Sequence, residues 1–211
     1  MITNYLFDWD GTLAKTLDVW FDAYKLLLKD RNIVLKNDSD IVKKAFGKWE
    51  EGLIALGIVD SGIAIKQLLE IGNSNLINSE LYPNVVEVLT KLKEQNKKIA
   101  LITSSPSELL LPVLKKNNLD KYFDHIVTRY DVKEGKPNPE SAFKALDAIN
   151  GKAQESLIIG DTESDILTGK NANIKTVLYL PDHNLKFYEK EYLNSFKPDY
   201  VIDDLMKVLD I

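Results

Sequence analysis

Short apolar runs that end in polar or glycine-rich turns recur along this chain and alternate with longer stretches of helical period. The runs are Tyr5-Leu6-Phe7 (with Ile2), Ile99-Ala100-Leu101-Ile102, Ser156-Leu157-Ile158-Ile159 and Thr176-Val177-Leu178-Tyr179-Leu180. Ile126-Val127 and Tyr200-Val201-Ile202 are shorter versions at similar spacing. A strand that is apolar on both faces must be covered on both faces, which is the situation in a parallel sheet flanked by helices. The segment 85–95 supplies such a helix: Val85, Val88, Leu89 and Leu92 share one face, and Glu87, Lys91 and Glu94 the other. Followed by the Ile99 run, it forms a strand–helix–strand crossover. The expected fold is α/β, with a six-stranded, Rossmann-like parallel sheet as its core.

Between residues 17 and 81 the pattern changes. Helical periods cover 20–29, 40–46 and 63–71, with no strand-like run among them. The turn-forming residues Gly72-Asn73-Ser74-Asn75 and Asn84, with Tyr82-Pro83, mark the return to the core. This predicts an α-helical domain at 17–81 inserted into a core made of 1–16 and 82–211.

With 45% hydrophobic and 28% charged residues, 211 residues suffice for a buried core and a soluble surface. The 27 Lys and Arg are outnumbered by 32 Asp and Glu, for a net charge of −5. That balance argues against nucleic acid or an anionic membrane surface as partner. There is no membrane-length apolar run and no signal-like N-terminus. Without cysteine there is no disulfide, thiolate metal site or cysteine nucleophile. The expected location is cytoplasmic, and the expected state a monomer or homodimer.

Four sites carry possible chemistry, three of them at the ends of apolar runs and one in a loop. Asp8-Trp9-Asp10-Gly11-Thr12-Leu13 follows the first run. Residues two apart in extended backbone point the same way, so Asp8 and Asp10 can present two carboxylates to one cleft. Such a pair repels unless a cation intervenes or one member is protonated, which suggests Mg²⁺ with a nucleophile and an acid/base. Gly11 allows a sharp turn whose N–H groups, with those of Thr12, can receive phosphate oxygens. The same hexapeptide also reads as a solvated turn.

Thr103-Ser104-Ser105 follows the Ile99 run, where a hydroxyl and the next amides can hold a phosphoryl oxygen. Ser105 and Glu108 also have the spacing of a helix capping box, with Pro106 in the first turn. Lys136, in Gly135-Lys136-Pro137-Asn138-Pro139-Glu140, is a single cation in a proline-stiffened loop; it can offset carboxylate and phosphoryl charge or simply be solvated. Gly160-Asp161-Thr162-Glu163-Ser164-Asp165 offers Asp161 as a metal ligand, with Asp165 one helical turn away, or else an Asp N-cap with an acidic first turn.

In this order, DxDGT, a hydroxyl after a middle strand, GKPxPE and GDxxxD, the four motifs closely resemble those of the haloacid dehalogenase superfamily. The likeness covers nearly the whole chain. The resemblance implies a core with an inserted α-helical cap and a Mg²⁺-dependent phosphatase acting on a small phosphorylated metabolite. It makes Asp8 the nucleophile that becomes phosphorylated, Asp10 the acid/base, Thr103 a phosphoryl hydrogen-bond donor and Lys136 the stabilising cation. Mg²⁺ would be held by Asp8, the Asp10 backbone carbonyl and Asp161, with Asp165 supporting the site from behind or through water.

The second Asp of DxD argues against the superfamily's metal-free dehalogenases. Gly160-Asp161-Thr162, where phosphosugar mutases carry an EDS-like motif, favours hydrolysis over β-phosphoglucomutase-like isomerisation. The chain departs from the related phosphatases at Lys15, which stands where they carry an acidic residue, at the hinge into the cap. In the cap, Phe46-Gly47-Lys48-Trp49 falls where a specificity loop is expected, so Lys48 is a candidate for meeting a substrate anion and Trp49 for covering it; Ser104 joins them as a substrate contact. The non-enzymatic alternatives are a receiver-like phospho-switch and a Mg²⁺-binding module. Receivers have about half this length and no helical insert after the first acidic strand.

Overall fold

The computed structural model describes residues 1–46 and 48–211, with Asn73 described in its backbone only. All six apolar runs form strands: β1 (Asn4–Phe7), β2 (Lys98–Ile102), β3 (His125–Val127), β4 (Ser156–Gly160), β5 (Lys175–Tyr179) and β6 (Tyr200–Ile202). They make one parallel sheet in the order β3-β2-β1-β4-β5-β6. Alternate residues of β1 serve opposite faces. Tyr5 and Phe7 pack with Leu89, Leu92 and Leu110, while Leu6 packs with Ala142, Leu146 and Ile149. The first group comes from α5 (Val85–Glu94) and α6 (Ser107–Lys116), the second from α7 (Glu140–Ile149). This two-sided burial is what an apolar strand without alternation requires.

In this strand order the crevice lies where the chain reverses direction across the sheet, between β1 and β4. Phe7 pairs with Leu101 on one side and Ile159 on the other. Asp8, one residue beyond, therefore emerges between the ends of β2 and β4, and its amide donates to Ile159 O at 2.8 Å.

The insert between β1 and β2 consists of α1 (Leu17–Asp30), α2 (Ser39–Ala45), α3 (Trp49–Ala55) and α4 (Ser61–Asn75). It builds an apolar cluster with Tyr24, Leu27, Ile41, Leu53 and Leu68, which Leu109 of the core joins. Its two connections to the sheet run side by side. Ala14 bridges Leu81 in antiparallel fashion, the Lys15 amide donates to Glu80 O at 2.8 Å, and the Tyr82 amide donates to Leu13 O at 3.0 Å.

Three local expectations are corrected. Gly72 to Asn75 do not make a turn, because α4 runs through them. Gly72 sits where a Cβ would come within 3.2 Å of the Trp20 ring and 3.3 Å of Leu109 and Leu76, so this glycine serves close packing. Ser74 and Asn75 are accommodated by bonding back to the carbonyls of Glu70 and Ile71. Second, α3 carries no strong helical period and was not expected. Third, Ser105 and Glu108 form no capping box: Pro106 is the N-cap of α6, and the Ser105 hydroxyl is engaged elsewhere.

Candidate active site

Lys136 is the centre of the charge arrangement. Its ammonium is buried and donates to Asp8 Oδ1 at 2.8 Å, Asp165 Oδ1 at 2.5 Å and Ile102 O at 3.4 Å, which uses all three of its protons. Burial works against this charge, but Asp165 and Asp8 outweigh it and hold the lysine pKa above its ordinary value.

Asp8, Asp161 and Asp165 are all buried and can bring one carboxylate oxygen each to within 4.8 Å of one another. Three carboxylates thus share one ammonium. The Asp8 carboxyl is pushed up to about 7, first by burial, with Asp165 and Asp10 adding to the effect against the pull of Lys136. Burial, with the charges of Asp8 and Asp165, likewise raises Asp161 well above the usual carboxylate range.

Two glycines make this crowding possible. A Cβ on Gly160 would lie 2.2 Å from Asp165 Cγ, and one on Gly11 would lie 2.0 Å from Asp161 Oδ2. Gly11 also has φ +74°, a conformation that L side chains rarely adopt. Asp165 completes a capping box on α8 (Glu163–Asn171). Its Oδ2 accepts from the Thr162 amide at 3.1 Å and the Thr162 hydroxyl at 2.7 Å. The N-cap is thus Thr162 and not Asp161, and both oxygens of Asp165 are engaged. Asp165 acts by fixing Lys136 and the start of α8.

Asp10 lies apart from this triad, on the side facing the insert. Its Oδ1 accepts from the Trp20 indole N–H at 2.8 Å and its Oδ2 from the Ser105 hydroxyl at 2.6 Å. Above it is a cavity of about 70 Å³ lined by Asp8, Asp10, Ser104, Ser105, Lys136, Thr162 and Ser164 below, and by Leu17, Trp20, Tyr24, Phe46, Trp49 and Tyr188 around the top.

The sequence-derived residues divide on this geometry. Asp8, Asp10, Lys136, Ser104 and Trp49 line the cavity, whereas Gly11, Thr12 and Thr103 do not. The Gly11 and Thr12 amides are engaged within their own turn, on Ala14 O and Trp9 O, which corrects the expectation that they face a phosphate. The Thr12 hydroxyl makes a long 3.4 Å contact with Asp161 Oδ1, and the Thr103 hydroxyl accepts from the Ser105 amide at 3.0 Å. Lys48 reaches Glu163 at 3.2 Å and Lys43 O at 3.0 Å outside the cavity, and does not point at an anion site. Trp49 closes the cavity from the insert and donates to Ser104 O at 2.8 Å. Lys15 pairs with Glu80 at 3.0 Å on the surface. Gly47 lies outside the described residues.

Sequence reasoning missed Trp20, Tyr188 and Asn184. The Tyr188 hydroxyl donates to Asp161 Oδ2 at 2.8 Å, and Asn184 bridges Gly11 O, at 2.9 Å, and the Tyr82 hydroxyl. Residues 180–199, between β5 and β6, carry no motif. Trp20 sits one turn into an ordinary amphipathic helix.

The sheet order and the cleft define a Rossmann-like α/β protein with an acidic, single-lysine site at its switch point. The sequence profile of the family described as haloacid dehalogenase-like hydrolase matches residues 5–179, and the chain belongs to that family. It is 32% identical over 217 residues to the pyrophosphatase PpaX of Bacillus mycoides, covering 100% of this chain and 96% of the relative. A haloacid dehalogenase-like hydrolase from Bacteroides fragilis superposes with a TM-score of 0.88 at 26% identity, covering 99% of this chain and 100% of the other. A structure from Haemophilus somnus, described as a phosphoglycolate phosphatase, gives 0.78 at 23% identity, with 99% and 97% coverage, and shows likeness of fold. Among the described residues, no helix is long and apolar enough to cross a membrane.

Proposed function

We propose that this hydrolase is a Mg²⁺-dependent phosphatase that transfers the phosphoryl group of a small phosphorylated metabolite to Asp8 and then to water. The observation that carries the reading is the shortage of positive charge: Asp8, Asp161 and Asp165 are buried around one fully engaged ammonium. A divalent cation held by Asp8 and Asp161, with the Asp10 backbone carbonyl, fits that donor set of oxygens and that deficit. Bound there, it would neutralise the approaching phosphoryl oxygens.

In the first step an Asp8 carboxylate oxygen attacks phosphorus and the bond to the leaving oxygen breaks. Asp10 delivers the proton that turns the leaving alkoxide into an alcohol. In the second step water attacks the same phosphorus, Asp10 takes its proton, and the Asp8–phosphorus bond breaks to release phosphate. Indole N–H groups only donate, so Trp20 holds Oδ1 in either protonation state. The Ser105 hydroxyl can rotate from donor to acceptor, which leaves Oδ2 as the oxygen through which the proton passes. Lys136 orients Asp8 throughout.

The insert, 17–81, acts as a cap on the core, 1–16 and 82–211. It excludes bulk water during transfer and opens for release. A cysteine-free chain suits the reducing cytoplasm.

The test is phosphate release from a panel of phosphate esters with Mg²⁺ or with EDTA, for the wild type and Asp8→Asn. Release that needs the metal and disappears in the variant supports the reading. Isomerisation of β-glucose 1-phosphate without release would replace it with a mutase, and release that survives Asp8→Asn would remove Asp8 as nucleophile.

A further inference from the structure

The roof of the cavity is aromatic, and its polar atoms are already in use. The Trp20 indole N–H is on Asp10, the Trp49 indole N–H on Ser104 O, the Tyr24 hydroxyl on Ala45 O and the Tyr188 hydroxyl on Asp161. Trp20 and Trp49 pack edge to face with centroids 5.9 Å apart, and Phe46 lies beside Tyr24 at 6.1 Å. What this wall offers to a bound molecule is ring surface.

Charge tells the same story. Lys136 is the one cation among the described residues lining the cavity, and its three protons are committed to Asp8, Asp165 and Ile102 O. Lys48, Arg129 and Lys133 border an outer groove, which shares Trp49 and Lys136 with the cavity, and Lys48 is paired with Glu163. On the leaving-group side, a second anion would therefore meet ring carbons and the Asp10 carboxylate. Burying an unpaired carboxylate there costs far more than burying a hydroxyl.

We infer that the leaving group of the substrate is uncharged and carbon-rich, an alcohol whose hydrocarbon face lies on Trp20, Trp49 and Phe46 while the Ser104 and Ser164 hydroxyls meet its polar atoms. This sets the chain apart from relatives named for pyrophosphate or phosphoglycolate, whose leaving groups are phosphate and glycolate. The inference rests on the phosphatase reading above.

The decisive comparison uses two esters of nearly the same shape, 2-hydroxyethyl phosphate and 2-phosphoglycolate, which differ by a hydroxymethyl against a carboxylate. Phenyl phosphate and pyrophosphate serve as outer references, all with Mg²⁺. The expected kcat/KM is at least about 100-fold higher for the hydroxyethyl ester, with phenyl phosphate also turned over and pyrophosphate slowest. Equal or reversed values for the matched pair, with Asp8-dependent turnover, would overturn the inference and leave the phosphatase reading intact. No Asp8-dependent turnover of any ester would remove both. Ser164→Lys places an ammonium in the cavity wall and should narrow the ratio by raising turnover of phosphoglycolate; an unchanged ratio in a variant that still hydrolyses the hydroxyethyl ester counts against the inference.

Discussion

The floor and the roof of the cavity are built on opposite terms. The floor hangs from the ends of β1, β2 and β4, and crowds Asp8, Asp161 and Asp165 around Lys136 with too little positive charge. The roof belongs mainly to helices of the insert, and meets the floor through Trp20 on Asp10 and Trp49 on Ser104 O. Buried like charges demand placement to a fraction of an ångström, which a central parallel sheet provides. A wall of rings tolerates variation in shape, which a set of short helices provides. On the reading proposed above, the sheet fixes the reaction and the insert the choice of substrate.

The largest perturbation of the floor is Lys136→Met. Removing the one ammonium leaves buried carboxylates unpaired, and should destabilise the metal-free protein by about 3–5 kcal/mol in urea unfolding. Added Mg²⁺ should recover part of that loss. Gly11→Ala comes next, because the new Cβ collides with Asp161 and the residue is held at positive φ. A loss of about 2 kcal/mol and a weaker apparent Mg²⁺ affinity are expected, read by unfolding and metal titration.

The floor should also respond to pH without metal. Asp8, with its folded value up to about 7 against an ordinary value near 4, stabilises the fold fully only below about pH 4. That contribution is lost as pH rises through about 7, so the melting temperature of EDTA-treated protein should fall across this window. Asp8→Asn should flatten the slope, and a wild-type melting temperature that rises steadily from pH 4 to 7 would contradict the charge deficit.

The roof should be more forgiving. Trp20→Phe keeps the ring and loses the N–H on Asp10, with kcat expected to fall about 10-fold and stability to change by about 1 kcal/mol. The smallest effect belongs to Lys48→Ala. Its pair with Glu163 is partly solvent-exposed, so a change within about 1 kcal/mol and a nearly unchanged kcat are expected.

This asymmetry also explains what could be read from the sequence. Strands and much of the floor were legible because three of the six apolar runs end directly in site segments, Phe7 in Asp8, Ile102 in Thr103-Ser104-Ser105 and Gly160 in Asp161, while Lys136 stood out in its proline-stiffened loop. The strand order brings those ends together whatever the intervening helices do. The roof was not legible. Trp20 lies on the same helical stripe as Ala23 and Leu27, and nothing local distinguishes a tryptophan that packs from one that also donates to Asp10. Tyr188 and Asn184 come from a connection without a motif, and reach Asp161 and Gly11 only through the fold. Gly72 misled because a glycine needed for close packing looks, in one dimension, like a glycine needed for a turn.

The paired connections at Ala14 and Leu81 have a consequence for the history of such a chain. The two points at which the polypeptide leaves and re-enters the sheet layer are neighbours, joined by backbone bonds that involve no side chain of the insert. The strand registers themselves are set by backbone pairing among the sheet strands, which the insert does not enter. On the cap reading proposed above, a lineage can therefore change the molecules it admits while the hydrolytic residues stay in place.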